Sequence, residues 1–264
     1  MAERSAATRR SLFTVLIAVF AFLYVPIAVL VALSFNEGGL PTVWTGFSMK
    51  WYGALLANGD ILSAALNTLI VAVISTVLAT ILGTLLAMGM ETRRRKGRAI
   101  EALAFAPMII PDIVLAIALL SFFSLLGVTM GLHTIILSHV IFNLAFVCSV
   151  VRARLKSFDW SVTEASADLG ASVWTTFRRV TLPLILPAVI AGALLAFTLS
   201  VDEFIISFFT SGAGRSSTTL PMQIYAMIRF GVTPEINALA TLVMIVSVTA
   251  LTLSQRLNRG VIGA

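Results

Sequence analysis

Six long apolar runs alternate with polar connections along the chain, at 12–33, 61–90, 100–126, 132–151, 184–209 and 236–253. Each is about as long as the ~20 residues a helix needs to cross ~30 Å of hydrocarbon, and the longer ones must tilt or overrun it. The pattern predicts an all-α polytopic membrane protein, a single transmembrane domain over 1–264 with six spanning helices. The connection at 34–60 is too polar to span. Ser48 can cap a short helix there, carrying Trp51, Tyr52, Leu55 and Leu56, with Trp44 and Phe47 just before it. Aromatic residues at this density suit the outer headgroup layer.

The polar insert at 152–183 separates the fourth and fifth runs. Ser161 and Glu164 fit an S-x-x-E capping box that starts a helix near Val162. Gly170 suits its C-terminal stop, and Ser172 can cap a second short helix bearing Val173 or Trp174, Phe177 and Val180. Helices of about two turns are marginal alone. The insert therefore has the build of a docking element.

Polar residues inside the runs narrow the picture. The second run is rich in Ala, Gly, Ser and Thr, which let helix backbones approach closely, and Asn67 can bond across helices. In the third, Pro107 and Pro111 precede Asp112, ~18 Å along a helix from the start of the run. An aspartate in mid-bilayer costs roughly 2.5–3.5 kcal/mol. Asp112 thus faces other helices or a water-filled path, or it caps a helix restarting after Pro111. In the fifth run Asp202 lies ~22 Å beyond Pro187, and Glu203 is next. Adjacent helical residues point about 100° apart, so both line one path only if the helix breaks there. The alternative is one pathway acid and one interfacial acid paired with Arg215 or Arg229. His133, His139 and Asn143 lack the neighbours of a metal site and read as packing or interhelical bonding; Gly127 to Gly131 reads as a turn, and Pro26 as a tolerated kink.

Composition agrees with a membrane protein: 59% of residues are apolar and 11% charged, against about 25% charged in soluble domains. The net charge of +6 would suit nucleic acid if it formed one patch. Instead, fifteen basic residues (Arg4, Arg9, Arg10, Arg93, Arg94, Arg95, Lys96, Arg98, Arg152, Arg154, Lys156, Arg178, Arg179, Arg256, Arg259) fall on one side of the runs and three (Lys50, Arg215, Arg229) on the other. This sorting excludes a nucleic-acid partner and predicts that both termini and the 152–183 insert are cytoplasmic. The single cysteine, Cys148, excludes an intrachain disulfide. Arg9 and Arg10 before an apolar run resemble a signal peptide, but 22 residues exceed the usual 7–15, so a retained first helix is expected.

No G-x4-G-K-[ST] is present, so the chain builds no P-loop and needs any ATPase in trans. H-E-x-x-H and G-x-S-x-G are missing too, which weighs against an enzyme. An importer permease and an autonomous channel or secondary carrier remain.

The insert then becomes specific. Glu164-Ala165-Ser166, three residues, Gly170, nine residues and Val180-Thr181-Leu182-Pro183 resemble the EAA loop of bacterial ABC-importer permeases, with Ser166 for an alanine and Val180 for an isoleucine. The similarity covers nearly the whole chain. It narrows toward the spermidine/putrescine branch through PDIVLAIALLSFF (111–123), LSVDEFIISFFTSG (199–212) and TLPMQIYAMIRFGVTPEINALAT (219–241).

The resemblance implies a methionine-importer-like fold in the bacterial inner membrane. It makes Glu164, Ala165, Ser166, Gly170, Leu182 and Pro183 the coupling loop that docks on the ATPase, although capping alone also accounts for Glu164. Asp112, Asp202 and Glu203 would supply negative charge along a path for a polyamine. No cofactor is expected on this chain; ATP and Mg belong to two partner ATPase copies. A second homologous permease and a periplasmic binding protein complete the implied assembly. Related permeases carry iron, thiamine or phosphonate, so the cargo stays open at this point.

Overall fold

The structure, a computed structural model, describes residues 2–39, 43–92, 97–229, 231 and 233–262, with side chains between 8 and 249 apart from 92 and 97–99. The regular elements among those residues are all helices, and the one β feature among them is an isolated bridge between Asn36 and Phe47. Two packed units are present, 2–62 with 224–262, and Ser63–Gln223.

The first unit holds α1 (Ala2–Leu33), α2 (Lys50–Ala57) and α12 (Pro234–Ile262). Ahead of α2, the Asn36 amide donates to Val43 O at 2.7 Å and accepts from Thr45 N at 2.8 Å, closing the loop on itself. Trp51 Nε1 donates to Asn36 O, and Tyr52 shares a hydroxyl contact with Ser34. Two of the expected headgroup aromatics are thus pinned within the loop, while Trp44 and Phe47 stay exposed. Ser48 Oγ accepts from Lys50 N at 3.2 Å, although Met49 is the capping position of α2.

The second unit contains α3 (Gly59–Thr92) for nearly all its length, α4 (Gly97–Ile109), α5 (Asp112–Leu125), α6 (Leu132–Lys156), α7 (Ser161–Asp168), α8 (Val173–Thr176), α9 (Leu182–Asp202) and α10 (Ile205–Thr210). α11 (Leu220–Arg229) follows it. Asn67, expected to bond across helices, instead donates to the carbonyls of Ser216 and Thr218 in the connection between α10 and α11.

Among the described residues, four helices are able by length and composition to cross a membrane: Thr8–Leu33, Gly59–Glu91, Leu132–Lys156 and Val173–Asp202. The expected third span is not one rod. It is broken between Ile109 and Asp112, where its halves meet at 113°, and it counts as a fifth span only if the bent pair is taken together. Proline lacks an N–H and crowds the preceding turn. Pro107 is carried inside α4, whereas at Pro111 the backbone turns extended and a new helix begins.

The fifth run is also interrupted, since α9 ends at Asp202 and α10 begins at Ile205. At its other end it exceeds expectation. The short helix capped by Ser172 runs straight into α9 through a π turn at Phe177–Thr181, in which Leu182 N bonds Phe177 O. That wider turn gives Pro183 room without breaking the helix. The apolar stretch of α12 among described side chains is Pro234–Thr249, shorter than a full crossing.

α6 and α9 pack antiparallel at the centre of the second unit. His139 meets Ser200, and two turns on Val147 meets Gly192. α3 closes on the same face: a Cβ at Gly83 would lie 2.9 Å from Val147 Cβ and 3.0 Å from Leu144 O. Gly83→Leu is expected to force α3 off α6 at about 1–3 kcal/mol, read as a lower unfolding midpoint in detergent; an unchanged midpoint would contradict this packing.

Candidate functional site

The docking insert is shorter than expected, because α6 continues to Lys156 and the Ser172-capped helix begins at Val173. α7 starts at Ser161 itself, so Ser161 lies inside the helix and the expected Ser161–Glu164 capping box does not form. Asp159 takes its place: its Oδ1 accepts from Ser161 N at 3.0 Å. The Ser161 hydroxyl and then its amide hold the Asp159 carboxyl below its usual range.

α7 stops in a Schellman turn. Gly170 adopts φ +79°, its N–H bonds Ala167 O at 2.8 Å, and Ala171 N bonds Ser166 O at 3.1 Å. Ser166, where the resemblance leads one to expect alanine, shares a 2.9 Å hydroxyl contact with Thr176 that ties α7 to α8. Val162 and Leu182 pack inward against a core that includes Val151, Leu155 and Phe158. Glu164, Ala165, Gly170 and Pro183 face outward. Around Gly170 the apolar residues Leu169 and Val173 are each 89% exposed and Trp174 67%.

The predicted acids gather at the two helix breaks. Asp112 opens α5, is exposed, and lies within electrostatic range of Glu203. Asp202 is the last residue of α9 and exposed; Glu203, extended at φ −72° and ψ 118°, is buried. The break therefore meets the condition under which two adjacent acids serve one region. Their surroundings differ, however. Glu203 Oε1 accepts from Ile206 N and Oε2 from Ser207 N, both at 3.0 Å, so this carboxylate caps α10. Glu203→Gln is expected to remove one of those acceptors at about 1–3 kcal/mol, with Glu203→Leu worse. Thermal unfolding in detergent measures it, and equal stability of all three proteins would contradict a capping role.

His139, on α6, is the residue whose importance sequence reasoning underrated. It is fully buried, with Nδ1 2.6 Å from Ser200 Oγ and Nε2 2.9 Å from Ser207 Oγ. Ser207 gives its own hydroxyl hydrogen to Glu203 O, so it accepts from His139, which fixes the tautomer with hydrogen on Nε2. Nδ1 then accepts from Ser200, whose Oγ lies 3.1 Å from Ser75 Oγ. These hydroxyl and imidazole contacts link α3, α9, α6 and α10 and straddle the α9 break. The interhelical bonding expected of His139 is present. Asn143, one turn on, has neither amide atom paired.

Among the described residues, no three His, Cys, Asp or Glu side chains come together as metal ligands. Cys148 is buried in α6. The basic residues at 93–96 lie outside the described residues, as do the side chains of Arg4, Arg98, Arg256 and Arg259.

Known proteins resemble this chain in sequence and in fold. The spermidine/putrescine transport system permease protein PotC of Escherichia coli K12 is 42% identical over 243 residues, spanning 92% of this chain and 91% of that protein. The putrescine transport system permease protein PotI of the same strain is 43% identical over 234 residues, 85% of this chain and 82% of that protein. In fold, the chain is similar to a bacterial ABC transporter involved in import of the acidic polysaccharide alginate, with TM-score 0.76 at 18% identity over 96% of this chain and 97% of that one. It is also similar to the inward-facing MetNI methionine ABC transporter, with TM-score 0.62 at 20% identity over 81% and 99%. Residues 79–260, which include the docking insert and both acidic breaks, match the family of binding-protein-dependent transport system inner membrane components, and to that family this chain belongs.

Proposed function

We propose that the chain is one permease subunit of an ATP-driven importer and forms half of the path for a polyamine such as putrescine or spermidine. The observation that carries this reading is the placement of Asp112, Asp202 and Glu203 at two helix breaks, with Asp112 near enough to act electrostatically on Glu203. A group of carboxylates at such breaks favours a multivalent cation and disfavours an anion. Relatives with polyamine-permease names at 42 and 43% identity support the cargo.

In this reading Asp112 and Asp202 face the path, and Glu203 adds charge while holding α10 in place. α12 completes six spans, both ends of the chain and the docking insert are cytoplasmic, and a second homologous permease supplies the other half of the path. A periplasmic binding protein delivers the cargo. Two ATPase copies bind ATP and Mg, and their closure, received at Glu164 to Pro183, switches the helices between outward and inward access. The acids must hold the cargo weakly enough to release it.

Reconstitution of the four-component complex in proteoliposomes tests this. Labelled putrescine or spermidine is expected to accumulate only with ATP inside and binding protein outside. Uptake by this chain alone without nucleotide would make it a channel or carrier, and uptake of iron, thiamine or phosphonate in place of polyamine would reassign the cargo.

A further inference from the structure

Movement received at the docking insert must reach the acids, and the first structure on that route is an ion cluster at the insert end of α6. Arg152 lies one turn before α6 ends at Lys156. Its guanidinium grips Glu101 of α4 with both arms, Nη1 to Oε1 at 2.5 Å and Nη2 to Oε2 at 3.1 Å, while Nε reaches Glu91 Oε1 of α3 at 3.3 Å. The same cation stands 5.9 Å over the Phe105 ring, one turn beyond Glu101 on α4. Three helices are joined through one side chain. The Arg152 and Glu91 side chains are 16% and 5% exposed, so water screens that pair weakly, whereas Glu101, at 42%, is partly solvated and holds Arg152 through the geometry of the fork.

Resting on the permease reading, we propose that Arg152 is a positioning residue that transmits motion of the docking insert to Asp112. The bidentate fork fixes direction as well as distance, so a shift of the α6 end carries Glu101 with it. Glu101 is eight residues, or ~12 Å, from the end of α4 at Ile109, and the 113° bend hands that movement to α5 at Asp112. An apolar contact at this place would slide; the fork does not. Arg154 makes a weaker, parallel connection, with Nε and Nη2 each 3.4 Å from Leu184 O of α9.

The reading that distinguishes transmission from mere support is the number of ATP molecules hydrolysed per polyamine imported, measured on the whole complex in proteoliposomes. Arg152→Glu is expected to assemble and hydrolyse ATP yet import at least tenfold less per ATP. Arg152→Lys, which keeps the charge without the fork, is expected to fall between that variant and the wild type. The exchange Arg152→Glu with Glu101→Arg restores the ion pair between α6 and α4, although not the contact with Glu91, and is expected to recover a substantial part of the wild-type ratio. A wild-type ratio in both Arg152→Glu and Arg152→Lys would overturn the inference. So would proportional loss of hydrolysis and import that the exchange does not repair. Wild-type complex is run alongside: failure of its ATP-driven uptake overturns the permease reading itself, whereas intact wild-type uptake with unaltered variant ratios overturns this inference alone.

Discussion

Leu169→Asp combined with Trp174→Asp is expected to separate the chain from its ATPase and abolish ATP-dependent uptake while leaving the transmembrane helices folded. Both side chains stand out from the insert, at 89% and 67% exposure, beside the Gly170 turn. They make few contacts whose loss would unfold the chain. Under the permease reading they would be the apolar anchors on the ATPase, and an aromatic anchor in a pocket commonly contributes 2 kcal/mol or more. Replacing them with carboxylates adds the cost of burying unpaired charge. Together about 4 kcal/mol is at stake, roughly a thousandfold in affinity. Co-purification with the ATPase and the unfolding midpoint of the isolated chain measure the two sides. Normal co-purification would show that the ATPase docks elsewhere.

Asp112→Asn with Asp202→Asn is expected to raise the KM for polyamine uptake by tenfold or more without lowering the amount of assembled complex. Both carboxylates are exposed at the breaks, so neither replacement leaves a buried partner stranded. Opposite charges 4 Å apart interact by about 4 kcal/mol at an effective dielectric of 20. Desolvation of the cargo offsets much of this, and about 1.4 kcal/mol net corresponds to the tenfold change. Concentration-dependent uptake by the reconstituted complex is the measurement. Unchanged kinetics in this double variant and in Glu203→Gln would remove the acidic path.

Much of this was legible along the chain, and the exceptions share a cause. Apolar runs placed the long helices because burial in lipid asks only for length and hydrophobicity, and Gly170 marked its turn because φ +79° suits glycine. The breaks were harder. Pro26, Pro107, Pro111 and Pro187 look alike in sequence, yet only at Pro111 does the structure change direction; the other three are carried inside helices. The interruption at Glu203 was hidden by apolar residues on both sides, though an acid three residues ahead of Ile206 is the spacing of a helix cap. The capping box failed because Asp159, two residues upstream, took the Ser161 amide first. His139 read as an isolated polar residue because its partners, Ser200 and Ser207, are 61 and 68 positions away in the chain.

The two breaks also decide what carries the charge of the region. Each interrupted helix leaves a carbonyl end and an amide end facing each other, equivalent to about half a negative and half a positive charge. At both places an acid sits on the amide end, Asp112 at the start of α5 and Glu203 ahead of α10, offsetting its positive pole. Facing poles of opposite sign nearly cancel at each break, so the negative charge of the region rests on its carboxylates and would be lost if each were replaced by an amide.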